Sequence, residues 1–436
     1  MPSKFIRTMR NNRYVLFLTY ADYRNAVGGL ERYIRDALEI LRGQGVSAIG
    51  LIPFPTRRSP RLHRYLFNYW GAVVDGTMCG FYDRAGVLDV IAALARAGKK
   101  PLEIHVHNLR NFDLDRVRCF LCEVPVPVRL FLHDYATVCP KFSLLRNDEH
   151  YCGRASPSPE KCVGCVSWTP EHHARIRAVL ESARDRLRIV SPSPIARHVW
   201  LGAFPDFEGQ TEVVPHLVPD GSRANDYRAD PSRPVVRLAF IGAPYLHKGW
   251  EVFRHLAASA DAAGWPYEFY HFGLSRGDSR GIRNIPVSIV REGPEAMAKA
   301  LRRAEIDVAF LWALWPETYS YVLQECLLTN MMLVTNPDSG NIADTVVARE
   351  AGRVFANRAE LLAYLRDVRQ VRRDVDFYRG KPTELPARFV PNDAVFEAID
   401  GSVNSPLPAG SGVCHPNRLA GFLYGLKELK RRAGWS

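Results

Sequence analysis

Apolar residues fall along this chain in short runs, separated by stretches with helical spacing. Tyr14-Val-Leu-Phe-Leu-Thr19, Leu102-Glu-Ile-His-Val-His107, Val128-Arg-Leu-Phe-Leu-His133 and Arg188-Ile-Val-Ser-Pro-Ser193 read as strands in the first half. In the second half Leu238–Ile241, Tyr267–Phe272, Val287–Val290, Val308–Leu311 and Leu333–Thr335 do the same. Between them lie amphipathic stretches, such as the one after Gly28 with Leu30, Ile34, Ala37, Leu38 and Leu41 on one face, and a short helix over Ala196–Leu201. Strands alternating with helices of ordinary length predict parallel sheets, hence an α/β fold. A polar stretch rich in Arg, Asp, Ser and Pro, from Asp220 to Pro234, predicts a domain boundary. After Arg388 only Pro- and Gly-rich connections and a final amphipathic helix from about Asn417 remain.

One segment concentrates chemistry. Trp315-Pro-Glu-Thr-Tyr-Ser-Tyr-Val-Leu-Gln-Glu325 follows the strand at Val308–Leu311 and opens a helix, placing Glu317 before the helix and Glu325 about two turns into it. In an open α/β sheet that strand end is where ligands bind. With Thr318 or Ser320 as helix cap, free amides around Tyr319 to Tyr321 would meet an anion, provided the helix presents its amino end to a gap between two halves of the molecule. Carboxylates on either side accept hydrogen bonds from hydroxyls, which suits a ligand with a phosphate between hydroxyl-rich rings. Read by spacing alone, the two glutamates are solvated surface charges.

The context decides between these readings. Glu317 and Glu325, followed by a strand and Asp338-Ser-Gly-Asn341, resemble the Glu-x7-Glu element of family 4 glycosyltransferases. Leu238-Ala-Phe-Ile-Gly-Ala-Pro-Tyr-Leu-His-Lys-Gly249 is similar to that family's Gly-x5-Lys-Gly loop, and Gly28-Gly29-Leu-Glu-Arg stands before a long helix, in the expected order. The resemblance covers roughly residues 14 to 365. It implies the GT-B architecture, two Rossmann-like domains with parallel sheets facing a cleft: a first domain over 1–215, a second, nucleotide-sugar-binding domain over 235–388, and a tail over 389–436 whose helix crosses back to the first domain. It implies transfer of a sugar from a nucleoside-diphosphate donor to a hydroxyl acceptor, a glycan or lipid-linked glycan, with retention and without a catalytic metal. By the same resemblance Lys248 neutralises the leaving diphosphate, Glu317 orients the sugar, Glu325 holds the ribose, and His133 contacts the sugar from the first domain. Gly28, Gly29, Gly242, Ser320 and Tyr321 would line the donor phosphates. Two departures stand out. Ala243 occupies the place of a common arginine, leaving His247 or Arg276 to substitute or activity to fall, and Gly340-Asn341 replaces a Gly-Gly pair.

The rest of the composition adds detail. Cys139, Cys152, Cys162 and Cys165 fall within one insertion, about residues 136–168, ending in Cys-Val-Gly-Cys. Four thiolates close a tetrahedral site for structural zinc; an iron–sulfur cluster would use the same ligands, and free or disulfide-bonded cysteines are the remaining alternatives. Cys119 and Cys122 read as helix core. The net charge of +12 favours anionic partners. Without a zinc-finger, RRM-type or helix-turn-helix signature, nucleic acid is not expected among them. Arg57 to Trp70 interleaves basic and aromatic residues, a pattern that either rests on an anionic membrane or packs as a helix with a solvated face. No apolar run approaches ~18 residues and the first residues lack the apolar core of a signal peptide, so the expected location is the cytoplasm, with peripheral contact at the inner face of the membrane. Rival readings are a GT-B protein that binds without transfer, a sugar-nucleotide epimerase, and a zinc-dependent nucleic-acid binder.

Overall fold

The computed structural model describes residues 2–24, 28–54, 66–153, 158, 160–230, 232–274, 280–382, 384–397, 399, 407 and 415–432. Most of the basic and aromatic stretch between Arg57 and Trp70 lies outside them, as does Arg276. The first sheet is built from β1 (Arg13–Leu18), β2 (Val46–Pro53), β3 (Trp70–Val74), β4 (Thr77–Tyr82), β5 (Lys100–Val106), β6 (Val128–Phe131), β9 (Leu187–Ser191) and β10 (Thr211–Val213). The small hairpin β7 (Leu145–Arg146) and β8 (His150–Tyr151) stands apart from it. Strand order is β10-β9-β6-β5-β1-β2-β3-β4, parallel except for the β2-β3-β4 meander at one edge. Helices cover both faces of a parallel sheet, and so β1 and β2 are continuous apolar runs, buried along almost their whole length.

The second sheet, β14-β13-β12-β15-β16-β17, is wholly parallel. It contains β12 (Val236–Ile241), β13 (Tyr267–Phe272), β14 (Ile282–Ile285), β15 (Val308–Phe310), β16 (Met332–Thr335) and β17 (Gly352–Val354). Here one expectation is corrected. Val287–Val290 is not a strand: Pro286 has no N–H to continue the ladder, the strand lies before it at Ile282–Ile285, and Ile289–Glu292 forms a helical turn. A second correction concerns the linker. Its beginning is ordered as β11 (Leu217–Arg223), paired antiparallel with β18 (Leu385–Pro391), so the two chain crossings between the sheets lie side by side. Beyond β18 the tail is tied down on the first domain. Arg129, held by Glu103 at 2.7 and 2.9 Å, donates to the carbonyl of Val395, and the helix Arg418–Arg432 packs on β4.

In each sheet the order reverses at one strand. β1 sits between β5 and β2, and β12 between β13 and β15. The loops after β12 and β15 therefore diverge from a shared crevice. They also touch: Leu314 N donates to His247 O at 2.9 Å, and Gly249, at φ 82°, passes so close to the other loop that an added Cβ would stand 2.1 Å from Trp312 O. Gly249→Ala is expected to cost several kcal/mol, since it combines a left-handed backbone with a collision against main chain. Gly264→Ala, at φ 63° in open space, is expected to cost only ~1 kcal/mol from backbone strain. Equilibrium unfolding of the two variants measures the difference; equal losses would mean that the loops are free to separate.

Candidate functional site

Glu317 is the buried centre of the crevice. Only 3% of it is exposed, and its Oε1 accepts from Trp315 Nε1 at 3.0 Å and from Lys248 Nζ. The lysine arrives from the loop after β12, the glutamate from the loop after β15, so 69 residues of chain fold to bring them together. The glutamate loop is clamped from behind. Asn341 N donates to Glu317 O at 3.0 Å, and Asn336 Nδ2 and Ser339 Oγ both reach Ala313 O. Gly340 lies so close to Pro316 that an added Cβ would fall 2.6 Å from its Cα. That gives the Gly340-Asn341 sequence a packing role.

The helix Tyr321–Leu328 begins where the cap residues predict: Ser320 Oγ accepts from Leu323 N at 3.2 Å. Its amino end, however, is not open to a gap, which corrects the expectation of unobstructed amides. Thr318 Oγ1 donates to His133 O at 2.7 Å, Ser193 Oγ donates to Thr318 O at 2.7 Å, and His216 rests on the rings of Tyr319 and Tyr321. The polar loop of the second domain thus finds its hydrogen-bond partners on the first, and the cleft is shut over it. Glu325 is part of the same seam. It pairs at 3.3 Å with Arg32, whose guanidinium lies 4.4 Å above the Tyr321 ring. Gly28 caps the helix Gly29–Gly43, and an added Cβ on Gly29 would stand 3.5 Å from Tyr321. Gly242, at φ 103°, follows β12, and an added Cβ would stand in ordinary contact with Val322 at 3.7 Å.

His133 joins a set of aromatic residues that sequence reasoning did not assemble. His107 Nδ1 and His133 Nε2 share a hydrogen bond of 3.0 Å, and Tyr33 lies against both His133 and His216 at ring distances of 4.9 and 4.5 Å. Burial pushes His133 down to about 3 and holds His107 and His216 well below the usual histidine value, so all three imidazoles are neutral. His107 Nε2, His133 Nδ1, His216 Nδ1 and Tyr321 Oη have no hydrogen-bond partner among the described residues. Each is a buried polar atom whose hydrogen-bonding capacity is unused in this arrangement. Asp134, buried beside them, is pushed up to about 6 by desolvation. Arg32 was visible in Gly-Gly-Leu-Glu-Arg without a role; Ser193 and His216 carried no signal, because only closure of the cleft gives them partners.

His247, the neighbour expected to stand in for the arginine absent at Ala243, is neutral in this arrangement. Burial and the adjacent Lys248 push it down to about 4, and its ring stacks on Tyr245 at 5.5 Å. The four insertion cysteines lie around the β7–β8 hairpin, whose Asn147 holds the Cys162–Cys165 turn through Gly164 O and Val166 N. Each of the other three thiols raises Cys139, though burial does so most, to about 11. As they stand, no three metal-ligating side chains among the described residues form a coordination set. Cys119 and Cys122 are on a helix, Leu114–Glu123, but not in its core: Cys122 is exposed.

Burial pushes Glu325 up to about 7, against the pull of Arg32. A carboxyl whose folded value is raised contributes stability that is complete below its unfolded value near 4.5 and is lost as pH rises through about 7. His133, lowered, acts oppositely and takes stability away as pH falls below about 6.5. Glu325→Gln removes the first effect alone. The variant's stability relative to the parent is therefore expected to improve by roughly 2 kcal/mol between mildly acidic and mildly alkaline pH. Parallel unfolding free energies across that range would show that Glu325 is not held protonated by burial.

No protein-family model and no curated protein sequence matches the chain. Among solved structures, a sucrose-phosphate synthase from Thermosynechococcus elongatus is similar, with a TM-score of 0.51 and 12% identity over 84% of this chain and 93% of that one. WaaG, a glycosyltransferase involved in lipopolysaccharide biosynthesis, gives a TM-score of 0.49 with 13% identity, over 84% and 94% of the two chains. Anabaena HepE in complex with UDP-glucose gives 0.48 with 12% identity, over 85% and 95%. At this identity the likeness concerns architecture. With two parallel sheets meeting across one seam at their strand ends, the chain has the GT-B fold.

Proposed function

We propose that the chain transfers a sugar from a nucleoside-diphosphate sugar to a hydroxyl acceptor, with retention, as the resemblance to family 4 glycosyltransferases implies. The observation that carries the reading is that Lys248 meets Glu317 while the neighbouring Thr318 meets the His133 carbonyl, because three separate motifs supply these residues. The similarity in fold to a sucrose-phosphate synthase agrees with it. In this reading the donor enters when the domains part. Ribose hydroxyls then take the place of Arg32 on Glu325, and Lys248 turns from Glu317 to the departing diphosphate. Glu317, kept in orientation by Trp315 Nε1, accepts from the sugar hydroxyls, and the neutral His133 ring offers a hydrogen bond without a competing charge. The acceptor would be a glycan or lipid-linked glycan approached from the first domain. The cysteine insertion would hold structural zinc, supported by its donor set and by the hairpin that holds the Cys162–Cys165 turn beside Cys152.

A second reading, nucleotide or glycan binding without transfer, is favoured by one observation: Ala243 and the neutral His247 leave the diphosphate with fewer cations than the family pattern provides. A thermal-shift screen with UDP- and GDP-sugars, followed by donor turnover, separates the two. One donor is expected to stabilise the protein selectively, Glu325→Ala to abolish that shift, and Lys248→Ala to lower kcat by ~10²- to 10³-fold. Stabilisation without turnover under every acceptor tried would favour the second reading, and no stabilisation by any nucleotide-sugar would remove both. Metal analysis of freshly purified, reduced protein is expected to return about one zinc per chain, a single four-thiolate site; its absence would leave the insertion without a metal.

A further inference from the structure

The helix Arg418–Arg432 is anchored by one side only. Ala420 and Tyr424 are buried against Phe54, Leu66 and Phe81, Asn417 N donates to Phe81 O at 2.8 Å, and the Tyr424 hydroxyl donates to Asp22. The other side is apolar and exposed, with no partner among the described residues. Leu419, Phe422, Leu426 and Leu429 are 47, 64, 40 and 63% exposed. Their spacing of three, four and three residues puts them on a single stripe of the helix. A soluble surface helix ordinarily turns charge, not leucine and phenylalanine, toward water.

The charges around the stripe identify its occupant. The helix carries Arg418, Lys427, Lys430, Arg431 and Arg432 against one acid, Glu428, on a chain whose net charge is already +12. A second copy docking stripe to stripe would bring two such cationic helices together, and like charges across an interface oppose association. An anionic bilayer surface satisfies both halves of the pattern at once: the apolar stripe enters the acyl boundary and the cations meet the headgroups. The helix stays in the plane, since no helix among the described residues is long and apolar enough to cross a membrane. The geometry points to the C-terminal helix as a peripheral docking element for anionic lipid, carried on the first domain next to β4. This holds whether or not the chain transfers sugar.

The test uses the full chain, with vesicles of phosphatidylcholine alone and of phosphatidylcholine mixed with phosphatidylglycerol. Co-sedimentation is expected with the anionic vesicles, about tenfold or more stronger than with the neutral ones and weakening with salt. Phe422→Ser combined with Leu429→Ser, and separately Lys427→Glu combined with Lys430→Glu, are each expected to lower binding about tenfold. Their melting temperatures should stay unchanged, because none of these side chains is part of the buried face. The proposal is overturned by absent or charge-independent vesicle binding, or by parental affinity in both double variants. It is equally overturned if light scattering finds a dimer that the apolar double variant dissociates.

Discussion

Burying the carboxylate of Glu317 is the constraint from which the crevice follows. A carboxylate 3% exposed cannot stand without compensation, and the chain supplies it from two directions, the Trp315 indole from its own loop and Lys248 from the neighbouring one. To deliver the lysine, the loop after β12 must cross close over the loop after β15, which is why Gly249 sits where no side chain fits. To hold the glutamate, the loop is backed by the turn at Pro337–Ser339 and by Gly340. The pair is therefore preorganised by main chain and not by side-chain packing alone. An ion pair of this kind is weak evidence for stability, because desolvation offsets its attraction. Its value lies in presenting a cation, 38% exposed, beside an acceptor whose direction is fixed.

The two glutamates of the segment face different cations in the same cleft. Glu317 faces an ammonium group within its own domain. Glu325 faces a guanidinium from the other domain, yet burial dominates and raises it to about 7. Across the seam the three imidazoles are driven the opposite way, to neutrality, by the same exclusion of water. Burial thus disfavours charge on the acid and on the imidazoles of the seam alike. Several of the seam's buried atoms have no partner among the described residues, a state that costs free energy.

Much of this arrangement could be read from the chain before any coordinates. The parallel strands β1, β5, β6, β12, β13, β15 and β16 announce themselves as apolar runs, because strands buried on both faces need no alternation. The loops bearing Lys248 and Glu317 were legible for a different reason: Gly242, Gly249 and Gly340 mark positions where main chain must turn or approach closely. What was not legible has a common cause. The ordering of Leu217–Arg223 depends on a partner strand 168 residues away in sequence at its Asp220–Arg388 contact, and no local pattern encodes that pairing. The covering of the helix end by His133, Ser193 and His216 is likewise a contact between domains, invisible to periodicity. Ile282–Ile285 was missed because an edge strand with Arg283 and Asn284 toward solvent lacks the apolar run that betrays an inner strand.

The nature of the closing contacts bears on how the cleft works. Thr318 to His133, Ser193 to Thr318 and Arg32 to Glu325 are polar, each worth roughly 1 kcal/mol net, and each can be replaced by a hydrogen bond to a ligand hydroxyl or to water. The crossings between the domains are different. β11 and β18 pair through main chain over six residue positions. The seam is not polar throughout: Trp315 meets the rings of Tyr135 and Phe142 at 6.0 Å, and Leu323 and Ile342 belong to the same apolar cluster as Trp200 and Phe204. Parting the two sheets would therefore expose apolar as well as polar surface, and anything that opens the cleft must offset both.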